Sequence, residues 1–160
     1  MNSILKRQVT IAWGPSGTGK THTLALSILY LLEILHLNTL EKVAVCMTAV
    51  TNAAVEMFVS KIEFLRDRNK AIPDLNTAWL DELGIVRLTA GGSSGMPKTR
   101  LTLAVGTVWQ FWKWNETKKV SADVVVIDEA GQMNVGTAAL ALRWLQDDGR
   151  IIPKTLNPLK

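Results

Sequence analysis

The segment that most constrains the fold of this chain is WGPSGTGKTHT, which occupies residues 13–23. Three glycines fall within six residues, and a lysine and a threonine then follow directly before a long apolar segment. Glycine adopts backbone conformations that other residues avoid, so such a loop can curve around a ligand with its N–H groups turned inward. The segment matches the pattern G-x-x-x-x-G-K-[ST], which binds nucleotide phosphates when it lies between a strand and a helix.

The sequence on both sides of this loop has the pattern that the motif requires. Residues 8–13, QVTIAW, form a short apolar run that predicts a buried strand. From Lys20 to about Leu37 the residues are apolar almost all round, which predicts a buried helix. The alternative is an ordinary glycine-rich turn before a helix. The residues predicted to bind the nucleotide are Gly14, Pro15, Ser16, Gly17, Thr18, Gly19, Lys20, Thr21 and His22.

The polar residues at the end of the loop have separate chemical roles in this prediction. The following helix has a partial positive charge at its N-terminal end, which attracts the same anion as the N–H groups of the loop. Lys20 would reach the β- and γ-phosphates, and the Thr21 hydroxyl would bind Mg²⁺. The predicted cofactors are ATP and Mg²⁺, with ATP favoured over GTP because the Asn-Lys-x-Asp pattern that reads guanine is absent from the sequence.

Strand and helix patterns alternate along the rest of the chain. The strand candidates are KVAVCM at 42–47, GIVRL at 84–88, LTLAVGT at 101–107 and ADVVVIDEAG at 122–131. The helix candidates are an amphipathic segment marked by Val55, Phe58, Val59, Ile62 and Leu65, and a last segment at 134–145. Strands that are apolar on both faces and alternate with helices indicate a parallel sheet covered on both sides. We predict an α/β P-loop NTPase fold with three layers and a mainly parallel sheet.

Composition narrows the classes of protein. With 160 residues, of which 48% are hydrophobic and 20% charged, the chain can form one folded domain with a core. Cys46 is the single cysteine, which excludes an internal disulfide and favours a reducing compartment. We see no signal peptide, and the longest apolar run is shorter than the ~20 residues that span a bilayer. We therefore expect no membrane and an intracellular location, with nucleus and cytoplasm both open.

A second motif, VVVIDEAGQ at residues 124–132, ends a predicted strand with two adjacent acids. Asp128 would bind Mg²⁺ through its water shell, and Glu129 would orient or deprotonate the attacking water. The alternative is a pair of solvated acids at a strand end. Because transfer of a phosphoryl group to a metabolite has less need of the second acid, Glu129 favours hydrolysis.

Four segments in order, GPSGTGKTHT, VTNAAVEMF, AVGTVWQF and VVVIDEAGQM, resemble the first RecA-like domain of superfamily-one nucleic-acid helicases. The most similar branch contains the nonsense-mediated-decay helicase and senataxin. The resemblance covers roughly residues 9–147. It implies a RecA-like fold in which residues 1–160 are one partial domain, incomplete at its C-terminus, with the second RecA-like domain absent.

The resemblance also implies roles for single residues. Lys20, Glu129 and Gln132 would be catalytic, with Gln132 sensing the γ-phosphate. Thr51, Asn52 and Thr107 would contact single-stranded RNA or DNA. For Thr51 and Asn52 the alternative is a cap on the helix that starts near residue 53.

The same resemblance sets expectations about activity. An arginine supplied across the cleft by a second domain accelerates phosphoryl transfer by ~10³–10⁵, and translocation needs two domains that open and close. We therefore expect ATP binding with slow hydrolysis, and no unwinding unless a partner chain supplies the second domain. Two alternatives remain: a non-catalytic remnant that binds a nucleotide or a partner, and a P-loop enzyme for a small molecule, with the loop at 89–100 as its only candidate insertion.

The segment around Trp109, Trp112 and Trp114 is rich in aromatic and basic residues. We expect Trp109 and Trp112 to share one helical face and to pack against the sheet. The alternatives are rings that stack on bases and rings that another domain covers. We propose no zinc site, because His22 and His36 are isolated from other metal-binding side chains.

Overall fold

The computed structural model describes residues 18–38, 41–89, 99–118 and 122–143. Within these ranges the strands are β1 (Val43–Ala49), β2 (Leu83–Arg87), β3 (Leu101–Thr107) and β4 (Val124–Ile127). The helices are α1 (Lys20–Asn38), α2 (Asn52–Lys70), α3 (Val108–Lys118) and α4 (Val135–Leu142), with 3₁₀ turns at Ala78–Asp81 and Ala130–Gln132. The four strands form one all-parallel sheet in the order β2-β3-β1-β4.

Helices cover both faces of this sheet. Alternate residues of the strands, such as Val45 and Met47 in β1, belong to a core cluster with α1 and α2. The intervening residues, such as Cys46 in β1 and Ala104 in β3, belong to a second cluster with α3 and α4. Because successive side chains of a strand point to opposite faces, a strand buried on both faces has a continuous apolar sequence. The predicted three-layer α/β fold is confirmed.

A polar cluster at the amino edge of the sheet fixes the direction of α1. Arg100, directly before β3, donates from Nε to Glu82 Oε2 at 2.7 Å and from Nη1 to the carbonyl of His36 at 3.4 Å. The last turn of α1 therefore lies where β2 and β3 begin. Nineteen helical residues span ~28 Å, against ~23 Å for a seven-residue strand. The first turn of α1 must consequently lie at the carboxyl edge of the sheet.

The predicted elements agree with these bounds except at the motif that contains Asp128 and Glu129. The predicted helix from Lys20, the helix around Val55–Leu65 and the strands at 42–47, 84–88 and 101–107 are confirmed to within a few residues. The strand predicted over 122–131 is shorter, because it ends at Ile127 and the chain then turns. The predicted strand at 8–13 lies outside the described residues.

The expectation that Trp109 and Trp112 pack against the sheet is wrong. Trp109 is 62% exposed and Trp112 is 41% exposed. In residues 108–114 of α3 the buried side chains are Val108, Phe111 and Trp114, which recur every third residue and form the face toward the sheet. Trp109 and Trp112 lie on the opposite face of the same helix.

The sequence also predicts that three other tryptophans, Trp13, Trp79 and Trp144, pack inside the fold. Trp79 is buried in the core, as predicted. Trp13 and Trp144 lie outside the described residues. No helix within the described ranges has both the length and the apolar character needed to cross a membrane.

The buried thiol of Cys46 gives a test of the core. Burial, with a smaller contribution from the charge of Asp123, raises the pKa of Cys46 from 9.0 to about 12. Burial disfavours the thiolate only in the folded state. The contribution of the protonated thiol to the free energy of unfolding is therefore complete below pH 9, and it is lost as the pH rises toward 12. We predict that a thiol reagent labels Cys46 slowly in buffer and rapidly in urea. We also predict that the free energy of unfolding of the wild type falls more steeply above pH 9 than that of Cys46→Ala, by about 1.4 kcal/mol per pH unit.

Labelling in buffer as fast as in urea would contradict the first part of this prediction. Parallel pH profiles for the wild type and Cys46→Ala would contradict the second, because the variant retains every other group that titrates in this range.

Candidate nucleotide and nucleic-acid site

The end of the phosphate loop has the backbone conformation that requires glycine. Gly19 has φ +77°, and its carbonyl accepts a hydrogen bond from Thr23 N at 2.9 Å, which begins α1. A Cβ at this position would meet no atom of the described residues within 4 Å, so the requirement for glycine comes from the positive φ. Lys20 and His22 are exposed and Thr21 is half-buried. The predicted ligands Gly14, Pro15, Ser16 and Gly17 lie outside the described residues.

The two acids of the second motif follow the end of β4. Asp128 N donates to the carbonyl of Thr48 at 2.9 Å, which ties the turn to β1. Asp128 Oδ1 then accepts from Glu129 N at 2.9 Å. Asp128 is half-buried, whereas Glu129 and Gln132 are exposed. The acids are therefore held at the carboxyl edge of the sheet and not within its core.

Glu129 occupies an unusual backbone conformation. Its φ is 54° and its ψ is 35°, in the left-handed region, where a side chain with a Cβ is strained. The strain turns the chain sharply after β4, and Gln132 N closes the turn by donating to the carbonyl of Glu129 at 2.8 Å. Strained residues of this kind cluster at functional sites, because a side chain position is maintained there at the expense of stability.

The predicted nucleic-acid residues Thr51 and Asn52 start α2. Thr51 has an extended backbone, and its hydroxyl oxygen accepts from Ala54 N at 3.1 Å, so the interpretation of Thr51 as a helix cap is confirmed. Asn52 is the first residue of the helix. Both side chains are exposed beyond the carboxyl end of β1.

Thr107 forms a reciprocal cap with Gln110, a residue that sequence reasoning missed. Gln110 N donates to Thr107 Oγ1 at 3.4 Å, and Thr107 N donates to Gln110 Oε1 at 2.7 Å. This arrangement is a capping box, whose pattern T-x-x-Q is present in the sequence and would have predicted the start of α3. Thr107 is only 8% exposed, so most of its surface is taken up by this packing.

Gln110 also joins the two predicted nucleic-acid elements. Its Nε2 donates to Asn52 Oδ1 at 3.1 Å, across the carboxyl edge of the sheet. The side-chain oxygens of Thr51, Asn52 and Thr107 thus each accept a hydrogen bond within the protein. The hydroxyl hydrogens of the two threonines and the amide hydrogens of Asn52 remain as donors. A surface that offers donors beside two helix N-termini has the chemistry to bind phosphate oxygens.

ATP and Mg²⁺ fit the residues at this edge. Mg²⁺ keeps several waters and binds to one or two protein oxygens together with substrate phosphates. The Asp128 carboxylate and the Thr21 hydroxyl are suitable ligands of this kind. In the described ranges no three His, Cys, Asp or Glu side chains form a group that would hold a metal by themselves. The donor set therefore suits a nucleotide-borne magnesium ion rather than a cage of protein ligands.

The comparisons with known proteins agree with this chemistry. A family model described as "AAA domain" matches residues 1–152. The match covers the phosphate loop, the sheet and the motif that contains Asp128 and Glu129. No curated protein and no solved structure matches the chain.

The capping box predicts the stability of Gln110 variants. Gln110→Leu keeps the approximate volume but leaves Thr107 N without its side-chain acceptor, so we expect a loss of about 1–2 kcal/mol in the free energy of unfolding. Gln110→Glu is the matched control, because its carboxylate accepts the same hydrogen bond and the amide of Asn52 can turn to donate to it. Urea unfolding measures both variants, and a Gln110→Leu variant as stable as the wild type would contradict the role of the box.

The backbone of Glu129 gives a second stability test. We expect Glu129→Gly to be more stable than Glu129→Ala by about 1 kcal/mol, because only glycine adopts the left-handed conformation without strain. Asp74, with φ 62°, supplies an internal control outside the site, and the same pair of substitutions there should show the same sign. Equal thermal unfolding of Glu129→Gly and Glu129→Ala would argue against the strained turn.

Proposed function

The chain belongs to the AAA domain family, and from this premise we propose that it binds and hydrolyses ATP as the first motor domain of a superfamily-one RNA or DNA helicase. Its membership already makes it a nucleotide-binding P-loop domain. The proposed helicase role is supported by four structural features that lie together at the carboxyl edge of the sheet. The first turn of α1, the acids after β4 and the N-termini of α2 and α3 all lie there.

The phosphates of the nucleotide would bind at the start of α1. Gly19 turns the backbone into the helix, and the N–H groups of the first turn point away from the body of the helix at its N-terminal end. Lys20 is exposed at this turn, where its ammonium group would neutralise the β- and γ-phosphates. Charge on the phosphates is thereby balanced by the helix end and by one lysine.

Hydrolysis would use the acids after β4. Mg²⁺ bound with the nucleotide would supply charge neutralisation at the phosphate oxygens, with Asp128 and Thr21 as its protein ligands. Glu129 would accept hydrogen bonds from the attacking water and orient it, since its carboxylate is exposed one residue beyond Asp128. Gln132, three residues further and tied by its N–H to Glu129, would report the state of the γ-phosphate.

Single-stranded RNA or DNA would bind across the starts of α2 and α3. A phosphate accepts hydrogen bonds and donates none at neutral pH, which suits the donors left on Thr51 and Asn52 by the internal capping bonds. The positive ends of two helices add to the attraction. Thr107 would contribute mainly by holding Gln110, and through it Asn52, in place.

The first test is the binding of a fluorescent ATP analogue with and without Mg²⁺. We expect Lys20→Ala to weaken binding at least tenfold, because the phosphates lose their main positive charge. Lys42→Ala is the matched control, since Lys42 is an exposed lysine just before β1, at the opposite edge of the sheet, and its removal should leave binding unchanged. Equal loss in both variants would indicate a nonspecific charge effect.

A second measurement separates the candidate functions. Turnover of ATP that single-stranded RNA or DNA stimulates, and that Glu129→Gln abolishes while ATP binding persists, would support the motor domain. ATP binding without turnover would favour a non-catalytic nucleotide-binding module. Turnover that no strand affects would favour a P-loop enzyme for a small molecule.

A further inference from the structure

The outer face of α3 carries two large aromatic rings that the core does not use. Trp109 is 62% exposed and Trp112 is 41% exposed. Their ring centroids lie 6.0 Å apart with an interplanar angle of 23°, so the two rings stack on each other. The helix is held to the sheet by the other face, through Phe111 and Trp114.

The ring pair lies beside the proposed nucleic-acid contacts. Trp109 comes two residues after Thr107, and it is next in sequence to Gln110, whose side chain binds Asn52. Trp109 and Trp112 therefore occupy the first two turns of α3, at the carboxyl edge of the sheet. A strand whose phosphates lie against Asn52 would have its bases within reach of these rings.

The charge around the rings suits an anion. Lys113 is four residues after Trp109 and one after Trp112, which places it on the same exposed side of the helix. The whole helix, Val108–Lys118, carries two lysines, Lys113 and Lys118, and one acid, Glu116, so its side chains have a net positive charge. The chain as a whole has a net charge of +4. Aromatic rings that stack bases, interleaved with cations that bind phosphates, are the elements of a single-strand binding surface.

We propose that Trp109 and Trp112 form a base-stacking platform that extends the proposed nucleic-acid site along α3. The bases of a single strand stack on the ring pair, while Lys113 binds the backbone on one side and Asn52 binds it on the other. This proposal rests on the proposed function, which identifies the bound ligand as single-stranded RNA or DNA. It goes further by assigning base contacts, and these contacts are tolerant of sequence because every base has an aromatic face.

A second copy of the chain is a less suitable occupant of this surface. The neighbours of the rings on α3, Gln110 and Lys113, are polar, so within the described residues the apolar patch on this face consists of two rings, which is small for a stable protein interface. Among the described residues the other exposed aromatic side chains are Tyr30 and Phe64, which lie on α1 and α2 across the sheet. They do not extend the patch.

The test measures the affinity of the whole chain for two labelled oligonucleotides of equal length, one with bases and one abasic. The abasic strand keeps every phosphate and loses the stacking partner. We expect the wild type to bind the strand with bases more tightly. We expect Trp109→Ala and Trp112→Ala each to weaken that binding by about tenfold, with little effect on the abasic strand.

Three control variants make the result specific. Lys113→Ala should weaken binding of both strands alike, because it removes a phosphate contact. Phe64→Ala removes an exposed ring of comparable exposure on α2 and should leave both affinities unchanged. Trp109→Phe keeps an aromatic face and should restore most of the preference for the strand with bases.

The outcomes distinguish the platform from the proposed function. If the wild type binds both strands equally and Trp109→Ala binds like the wild type, the platform is overturned while a phosphate-binding motor domain stands. If the wild type binds neither strand, the nucleic-acid role falls and the platform with it. A wild type that dimerises, with Trp109→Ala monomeric and unchanged in strand affinity, would assign the rings to a protein interface and overturn the proposal.

Discussion

Parallel pairing of the four strands is the constraint on which the site depends. β1 pairs with β3 on one side and with β4 on the other, so the carboxyl ends of all three strands lie along one edge. Each strand end is followed directly by a polar turn or a helix N-terminus. An antiparallel neighbour would have sent one of these groups to the opposite edge. The parallel direction of the strands therefore places the segments of the candidate site at one edge of the sheet, whatever their side chains.

The polar groups at this edge are organised mainly by helix capping. Thr51 and Thr107 satisfy N–H groups at the starts of α2 and α3, and Gln110 links the two starts through Asn52. Capping uses acceptor atoms and leaves the donors of the same groups, because hydroxyl and amide groups have both kinds. The interactions that stabilise the helices thus produce the chemistry of a phosphate-binding surface. A role as cap and a role in binding do not exclude each other at these residues.

Much of the fold followed from the sequence because its signals are local. Continuous apolar strands and the helix from Lys20 were predicted to within a few residues, since an element buried on both faces has an uninterrupted run of apolar residues in its sequence. The strand before Asp128 was predicted too long, because β-branched residues do not reveal where pairing stops. The capping box at Thr107 was readable from its spacing, yet its third partner, Asn52, is 58 residues from Gln110 and leaves no local pattern.

The sequence by itself determined the class of fold and predicted the phosphate loop and the pair of acids, because each rests on residues adjacent in the chain. Only the tertiary structure decided which residues share an edge and which face of α3 is covered. Periodicity showed that Trp109 and Trp112 lie on one side of a helix, but both sides of α3 carry aromatic residues. The choice between them depends on the sheet against which the helix packs, a contact made by residues distant in sequence. Packing buried Phe111 and Trp114 and left the other two rings facing solvent.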